Sequence, residues 1–399
     1  VTDLAANLAR LRKARDLSQE ELAEAAEVGT DTVARIEQGK RRTARPTTID
    51  RLATALGVTP QALGGSAPSE GQNERSIEDL RAAITASEDI PGMRDLADDD
   101  RELLSLPQLD IAAHSAWAAY VEGQHDRLID TLPVLLGDAR RFVHASPDDQ
   151  RSAGQRVLST AYRLAAGTAG RFGCTDLAWI AAHEGLDHAR HCDQPELEAA
   201  IATRYLVWTL VRQHRYAEAE RVATIAAERI EPRMLDRDTQ RAGVFGNLLF
   251  NAATAATLAG AHPRAGDLLA EARAAATRAE GDWVSEAAIF GPRVAAFQTI
   301  EHTIRAGNPD EAVRLNAAIP NGGVPAFWEA GHRLLMASAE LALKRRDQAL
   351  TYLAEAARLA PDWASRQPLG CSTMQALIDH APRRRTHTFA RLANLYRLV

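Results

Sequence analysis

Few residues in this chain have types and spacings suited to chemistry. His183-Glu184-Gly185-Leu186-Asp187-His188 sets two imidazoles around acidic residues, as a zinc-protease helix does. Its histidines are five apart instead of four, so a helix turns them onto different faces and no metal site results. Cys174, Cys192 and Cys371 cannot all pair with one another and fit no zinc motif, which suits a reducing compartment. Asp98-Asp99-Asp100 precedes a helical stretch and reads most simply as an N-terminal helix signal. There is no Gly-rich phosphate loop, G-x-S-x-G elbow or C-x-x-C pair. The residues therefore imply no cofactor, no metal and no catalytic constellation, and an enzyme is the weakest reading. Lys40, Arg41, Arg42 and Arg45, by contrast, stand together with no acid among them. Local clustering of this kind sets the field that a phosphate backbone feels.

The elements that must position these groups are helices. Of 399 residues, 46% are hydrophobic and 25% charged, the profile of a soluble globular protein of two or three domains. Apolar stretches such as Val244 to Leu258 are too short and too rich in small residues to cross a bilayer, and no apolar signal core opens the chain. A cytoplasmic protein with no membrane partner is expected. The net charge of −6 hides an asymmetry, because residues 1–64 carry ten basic and nine acidic residues and the deficit falls in the remainder. Turn formers concentrate from Gly64 to Asn73, which divides the chain into residues 1–64, a linker at 65–75, and residues 76–399. Beyond the linker, apolar residues recur at i, i+3, i+4 and i+7 with no run of period-two alternation, so the expected fold class is all-α. The six tryptophans fall at helical positions and are expected in the core.

Residues 2–63 resolve into five short helices. The first runs from about Asp3 to Arg15; the second opens with a capping box, Ser18 to Glu21. The third, Thr30 to Gln38, follows a tight turn at Glu27-Val28-Gly29 and ends on Gly39. An amphipathic helix from about Thr48 to Leu56 and a short one from Pro60 to Leu63 complete the set. The strings Leu17-Ser18-Gln19-Glu20-Glu21-Leu22-Ala23, Thr32-Val33-Ala34-Arg35-Ile36-Glu37-Gln38-Gly39 and Leu52-Ala53, with Ala55-Leu56-Gly57-Val58, resemble the Cro/CI-type (XRE) helix-turn-helix. That resemblance implies binding to a double-stranded DNA operator. It makes Thr30, Asp31, Thr32 and Arg35 the base-reading residues, and Gln19, Gln38, Lys40, Arg41 and Arg42 the phosphate contacts. It also implies an internal pair between Arg12 and Glu37. Gly29 departs from the hydroxyl residue usual before the recognition helix, which weakens the cap. One such unit reads a half-site, so a homodimer is implied.

The remainder repeats a helix, a small or polar turn and a second helix, with turns at Gly123, Gly173, His214, Gly260, Gly307 and Lys344. This resembles the tetratricopeptide repeat, and Ala116, Ala166, Val207, Ala253, Ile300 and Ala337 fall where its two helices touch. The departure is the period: successive turns are 37 to 50 residues apart, longer than the family's. An α-solenoid of such repeats presents its first helices on a concave surface. Carrying the repeat's inner positions across picks His114, Trp117, Arg163, Arg204, Tyr205, Trp208, Asn247, Asn251, Gln298 and Glu301 as a ligand groove. Asn247 and Asn251 share one helical face, and their amides suit an extended peptide backbone, while Arg163 and Arg204 suit an acidic group. The competing reading bonds these side chains within the solenoid. The whole resembles the peptide-sensing RRNPP regulators and a broader set of bacterial regulators of this layout. The first implies a peptide effector; the second leaves peptide or small-molecule metabolite open. A protein-interaction adaptor, tethered by its DNA domain, is the alternative.

Overall fold

The structure is a computed structural model that describes residues 4–15, 17–39, 46–56, 58, 70–86, 102–232, 238–277, 281–380 and 387–396. It divides into two compact units, residues 1–75 with 333–399, and residues 76–332. Residues 333–399, which the sequence reading assigns with the repeats, thus fall in the same unit as the N-terminal helices.

In the first unit, α1 (Leu4–Ala14), α2 (Gln19–Ala25), α3 (Thr30–Glu37) and α4 (Pro46–Leu56) close around Leu8, Leu11, Leu22, Val33, Ile36, Leu52 and Leu56, all buried. Ser18 caps α2 as its sequence requires: Glu21 N–H donates to Ser18 Oγ at 3.0 Å, and Ser18 N–H donates back to Glu21 Oε2 at 2.7 Å. Gly39 takes φ +69 just past α3, the left-handed geometry that only glycine enters cheaply. The expected helix at Pro60–Leu63 and the first half of the expected linker lie outside the described residues.

The second half of that linker is helical. Helix α5 (Glu70–Ile84) begins inside the stretch read as linker, because its distal half is anchored: Leu80 and Ile84 join the core of the second unit. Arg140, itself buried, donates to the Ala83 carbonyl and, at 2.6 Å, to Tyr162 Oη. Once the apolar turn is fixed, each preceding residue adds one bond at small cost.

The second unit consists of paired helices. They are α6 (Leu106–Val121) with α7 (His125–Ala145), α8 (Asp148–Arg171) with α9 (Thr175–Ala189), and α10 (Pro195–Arg212) with α11 (Tyr216–Arg229). The series continues with α12 (Thr239–Leu258) and α13 (His262–Ala276), then α14 (Pro292–Arg305) and α15 (Pro309–Asn316). Helix α16 (Ala326–Ala342), which crosses at residue 333 from the second unit into the first, and α17 (Arg346–Leu359), in the first unit, repeat the same form. Every one of the six turns holds a left-handed residue: Gly123, Gly173, Gly260 and Gly307, and also His214 and Lys344 at φ +60 and +63. The six residues expected at the helix–helix contacts are all buried. Three short helices, α18 (Pro361–Ser365), α19 (Pro368–Asp379) and α20 (His387–Leu395), end the chain.

Among the described residues the fold is all-α save one element. Between α13 and α14, Trp283–Val284 (β1) pairs antiparallel with Ile289–Phe290 (β2). Trp283 is therefore on a strand and exposed, not in a helical core. This hairpin lies in the 47-residue interval between the turns at Gly260 and Gly307.

Candidate nucleic-acid interface and candidate ligand groove

Helix α3 buries Val33 and Ile36 completely and turns the opposite face outward. Thr30, Asp31, Arg35 and Gln38 are exposed on it and Thr32 is half-buried. Asp31 and Arg35, one turn apart, pair at 2.9 Å, so two of the expected base readers engage each other in the unbound chain. Gly29 caps α3 without a side-chain bond. The turn before it places Glu27 at φ +50, a left-handed site held by Val28 N–H donating to the Ala23 carbonyl at 2.9 Å.

What fixes α3 is the pair expected from sequence. Arg12 grips Glu37 through Nε at 2.7 Å and Nη2 at 2.9 Å, and its Nη1 donates to the Leu17 carbonyl at 2.8 Å. Gln19 Nε2 donates to Glu37 Oε2 at 2.6 Å. One carboxylate thus ties the first three helices together, and the Gln19 amide, expected on phosphate, faces inward. Lys40, Arg41 and Arg42 lie outside the described residues.

In the second unit the expected groove residues divide. Arg163 is buried and bonds Glu198 Oε2 at 3.2 Å and Thr160 Oγ1 at 2.5 Å, an internal pair. Trp208 lies against Arg212 at 4.3 Å and over Gly170, where a Cβ would come within 2.4 Å of its ring. Trp117 packs on the core, 5.6 Å from the His114 ring. Glu301 pairs with Arg305 at 2.9 Å; with Gln298, Thr257 and His302 both line a crevice of about 10 Å³, room for one water. His183 is exposed, and His188 stacks on Tyr162 and bonds Gln155, so these histidines do not converge.

His114, Arg204, Asn247 and Asn251 do converge, and the hairpin is what brings three of them together. Asn247 Nδ2 donates to the Ile289 carbonyl at 2.8 Å and to the Gly243 carbonyl at 3.1 Å. Arg204 donates through Nη1 to the Ala287 carbonyl and through Nη2 to Asn247 Oδ1 at 3.0 Å. His114 Nδ1 meets Glu286 Oε1 at 2.9 Å. Asn251 Nδ2 reaches the Arg204 carbonyl at 3.4 Å. Burial lowers the Arg204 pKa. Burial, with Tyr120 adding, lifts the Tyr205 phenol to about 12, so Tyr205 stays neutral beside it. Gly243, Gly246 and Glu286 belong to this site and are not among the residues expected from sequence; the 47-residue interval around 283–290 does not set them apart, since that between Gly123 and Gly173 is 50.

Residues 3–63 match a family model described as a helix-turn-helix domain. The chain carries a helix-turn-helix domain. Helix α3 is the second helix of that motif. No curated protein matches the sequence. Among solved structures, the chain is similar to Bacillus thuringiensis PlcR in complex with the peptide PapR7 and DNA, at 10% identity and a TM-score of 0.31, over 92% of this chain and 99% of that one. It is also similar to the apo form of ComR from S. thermophilus, at 12% identity and a TM-score of 0.28, over 95% and 99%. No helix among the described residues is long and apolar enough to cross a membrane.

Proposed function

We propose that this chain is a sequence-specific DNA-binding transcriptional regulator of the cytoplasm. Residues 1–64 bind an operator, residues 65–75 connect, and the repeats from residue 76 onward sense an effector and supply homodimer contacts. The observation that carries the DNA part is α3, with its apolar face sealed in the core and Thr30, Asp31 and Arg35 turned outward, inside a matched helix-turn-helix domain. Arg35 is the residue able to take a guanine O6/N7 pair, worth ~1–3 kcal/mol of discrimination. The phosphate contacts fall to Gln38, Lys40, Arg41 and Arg42. A dimer follows from the half-site argument, two recognition helices about one DNA turn apart.

The same observations favour a peptide over a metabolite as effector. Arg204 and Asn247 both donate to main-chain carbonyls, Ala287 in the hairpin turn and Ile289 on β2, so the groove offers donors suited to a polypeptide main chain.

The test is selection of duplexes from a random pool by the full-length protein, followed by fluorescence anisotropy. Arg35→Ala should erase the preference for the selected sequence over scrambled duplex while leaving the helical signal intact. Retained preference in Arg35→Ala would remove α3 from the major groove and this reading with it.

A further inference from the structure

Segment 285–290 meets the inner helices as a bound peptide would. Its carbonyls at Ala287 and Ile289 face Arg204 and Asn247, and Ala288 and Phe290 lie against α12. There a Cβ on Gly243 would come 3.2 Å from Ala288 Cβ, and one on Gly246 would overlap the Phe290 ring at 1.9 Å. The two glycines thus make notches for Ala288, where the turn closed by Ser285 N–H on the Ala288 carbonyl ends, and for Phe290 on β2. At its start the segment reaches across to α6, where Glu286 pairs with His114. Three first helices, α6, α10 and α12, therefore hold one stretch of chain.

Two features mark this stretch as an occupant and not ordinary core. It lies in the connection 277–291, whereas other pairs join with as little as 146–147, so the fold does not need its length to link helices. It also serves the clamp incompletely: Arg204 Nε is buried and takes no hydrogen bond among the described residues. A buried N–H left without an acceptor costs free energy that a better-matched ligand recovers.

We propose that Ser285-Glu286-Ala287-Ala288-Ile289-Phe290, a turn running into β2, is a tethered segment that occupies the effector groove, and that a peptide with an acidic residue followed by small and large apolar residues binds by displacing it. This rests on the sensor reading above and specifies how that site is regulated. The hairpin base stays fastened meanwhile, because Asp282 Oδ1 accepts from Arg293 N–H at 3.0 Å at the start of α14. Tethering supplies the segment at an effective concentration on the order of millimolar, so a free peptide must be the better ligand or the tether must be weakened.

The experiment uses the full-length protein and two measurements. By hydrogen exchange with mass spectrometry, the wild-type amides of 285–290 should exchange at least about ten-fold faster than those of α12 through local opening. Exchange of both at one common rate would mean that the segment opens only on global unfolding, and would overturn the proposal. The second measurement is anisotropy of a labelled hexapeptide with the sequence of 285–290. It should bind the Glu286→Gln, Phe290→Ala double variant at least about ten-fold more tightly than wild type, since apparent affinity scales with the open fraction. Adding Arg204→Met should abolish that binding. Failure of the hexapeptide to bind a double variant that unfolds cooperatively would also overturn it, and a misfolded variant leaves the exchange result to decide. Hexapeptide binding with no change in DNA affinity would uphold the tethered occupant and remove the sensor reading instead.

Discussion

Replacing Asp31 by Ala should strengthen binding to DNA of arbitrary sequence. The carboxylate occupies the Arg35 guanidinium at 2.9 Å, and Arg35 must leave it to reach a base or a phosphate. Both side chains are largely exposed, 73% for Asp31 and 62% for Arg35, so breaking this pair costs about 0.3–0.5 kcal/mol. The second contribution is repulsion. If α3 enters the groove as proposed, a carboxylate on its outward face would lie on the order of 8 Å from two phosphates, and each would cost about 0.5 kcal/mol in water before salt screens it to less than half. Together these amount to roughly 1 kcal/mol per recognition helix, about a five-fold gain in affinity at moderate salt. On the preferred sequence the sign reverses if Asp31 accepts from a cytosine N4, where its loss removes ~1–3 kcal/mol of discrimination. Anisotropy titrations of the full-length protein on scrambled and selected duplexes, at several salt concentrations, separate the two. Asp130→Ala, on an exposed position of the repeats, controls for net charge. If Asp31→Ala left scrambled-duplex affinity unchanged, or weakened it, the outward face of α3 would not be the DNA-facing surface and the site assignment would fall.

Other outcomes follow from the same geometry. Arg12→Ala strands Glu37 among Gln19 and the packed helices, where both partners are nearly buried. It should cost about 2–4 kcal/mol, whereas Arg12→Met with Glu37→Met should be close to neutral, read by urea unfolding. At the repeat turns, Gly260→Ala meets no atom within 4 Å and pays only for its φ of +79, about 1 kcal/mol by thermal melting. Lys344→Gly should instead stabilise by a few tenths to about 1 kcal/mol. His302 is held below its usual pKa by burial and then by His262, so its neutral form is favoured in the folded state. Stability from this source is fully present above pH 6.5 and is lost as pH falls toward the lowered folded value, because the unfolded chain takes up the proton first. Denaturant midpoints should drop over that window in wild type and less in His302→Gln; an equal drop in both would exclude the histidine.

What the sequence made legible is what short-range chemistry determines. The Ser18 capping box, the left-handed Gly39 and the turns at Gly123, Gly173, Gly260 and Gly307 each depend on residues within a few positions of one another, and each is where its motif puts it. His214 and Lys344 take the same conformation without being glycine, because packing of two flanking helices outweighs a penalty of about 1–2 kcal/mol. Arg12 and Glu37 are 25 positions apart and were legible only through the helix-turn-helix pattern. The helix at the end of the linker stretch was not legible: Glu70 to Asn73 have the composition of a loop, and the apolar residues that draw them into α5 lie further along.

The groove shows the same limit more sharply. Asn247 and Asn251 were singled out because an amide can clamp an extended main chain, and Asn247 does hold one, but it is the chain's own at Ile289. Nothing local to 283–290 announces a strand. Two residues on each side are too few for a period to register, and the pairing is set by partners at positions 114, 204 and 247. A side chain's hydrogen-bonding capacity can be read from its type, but which backbone fills it depends on contacts scores of residues away. The 47-residue interval does not mark extra chain, because the 50-residue one between Gly123 and Gly173 holds only longer helices; the Gly243 and Gly246 notches in α12 are where the hairpin packs. Gly167 and Gly170, also three apart on an inner helix, receive Tyr120 and Trp208 instead, so glycine spacing shows where a neighbour approaches closely and not which neighbour it is.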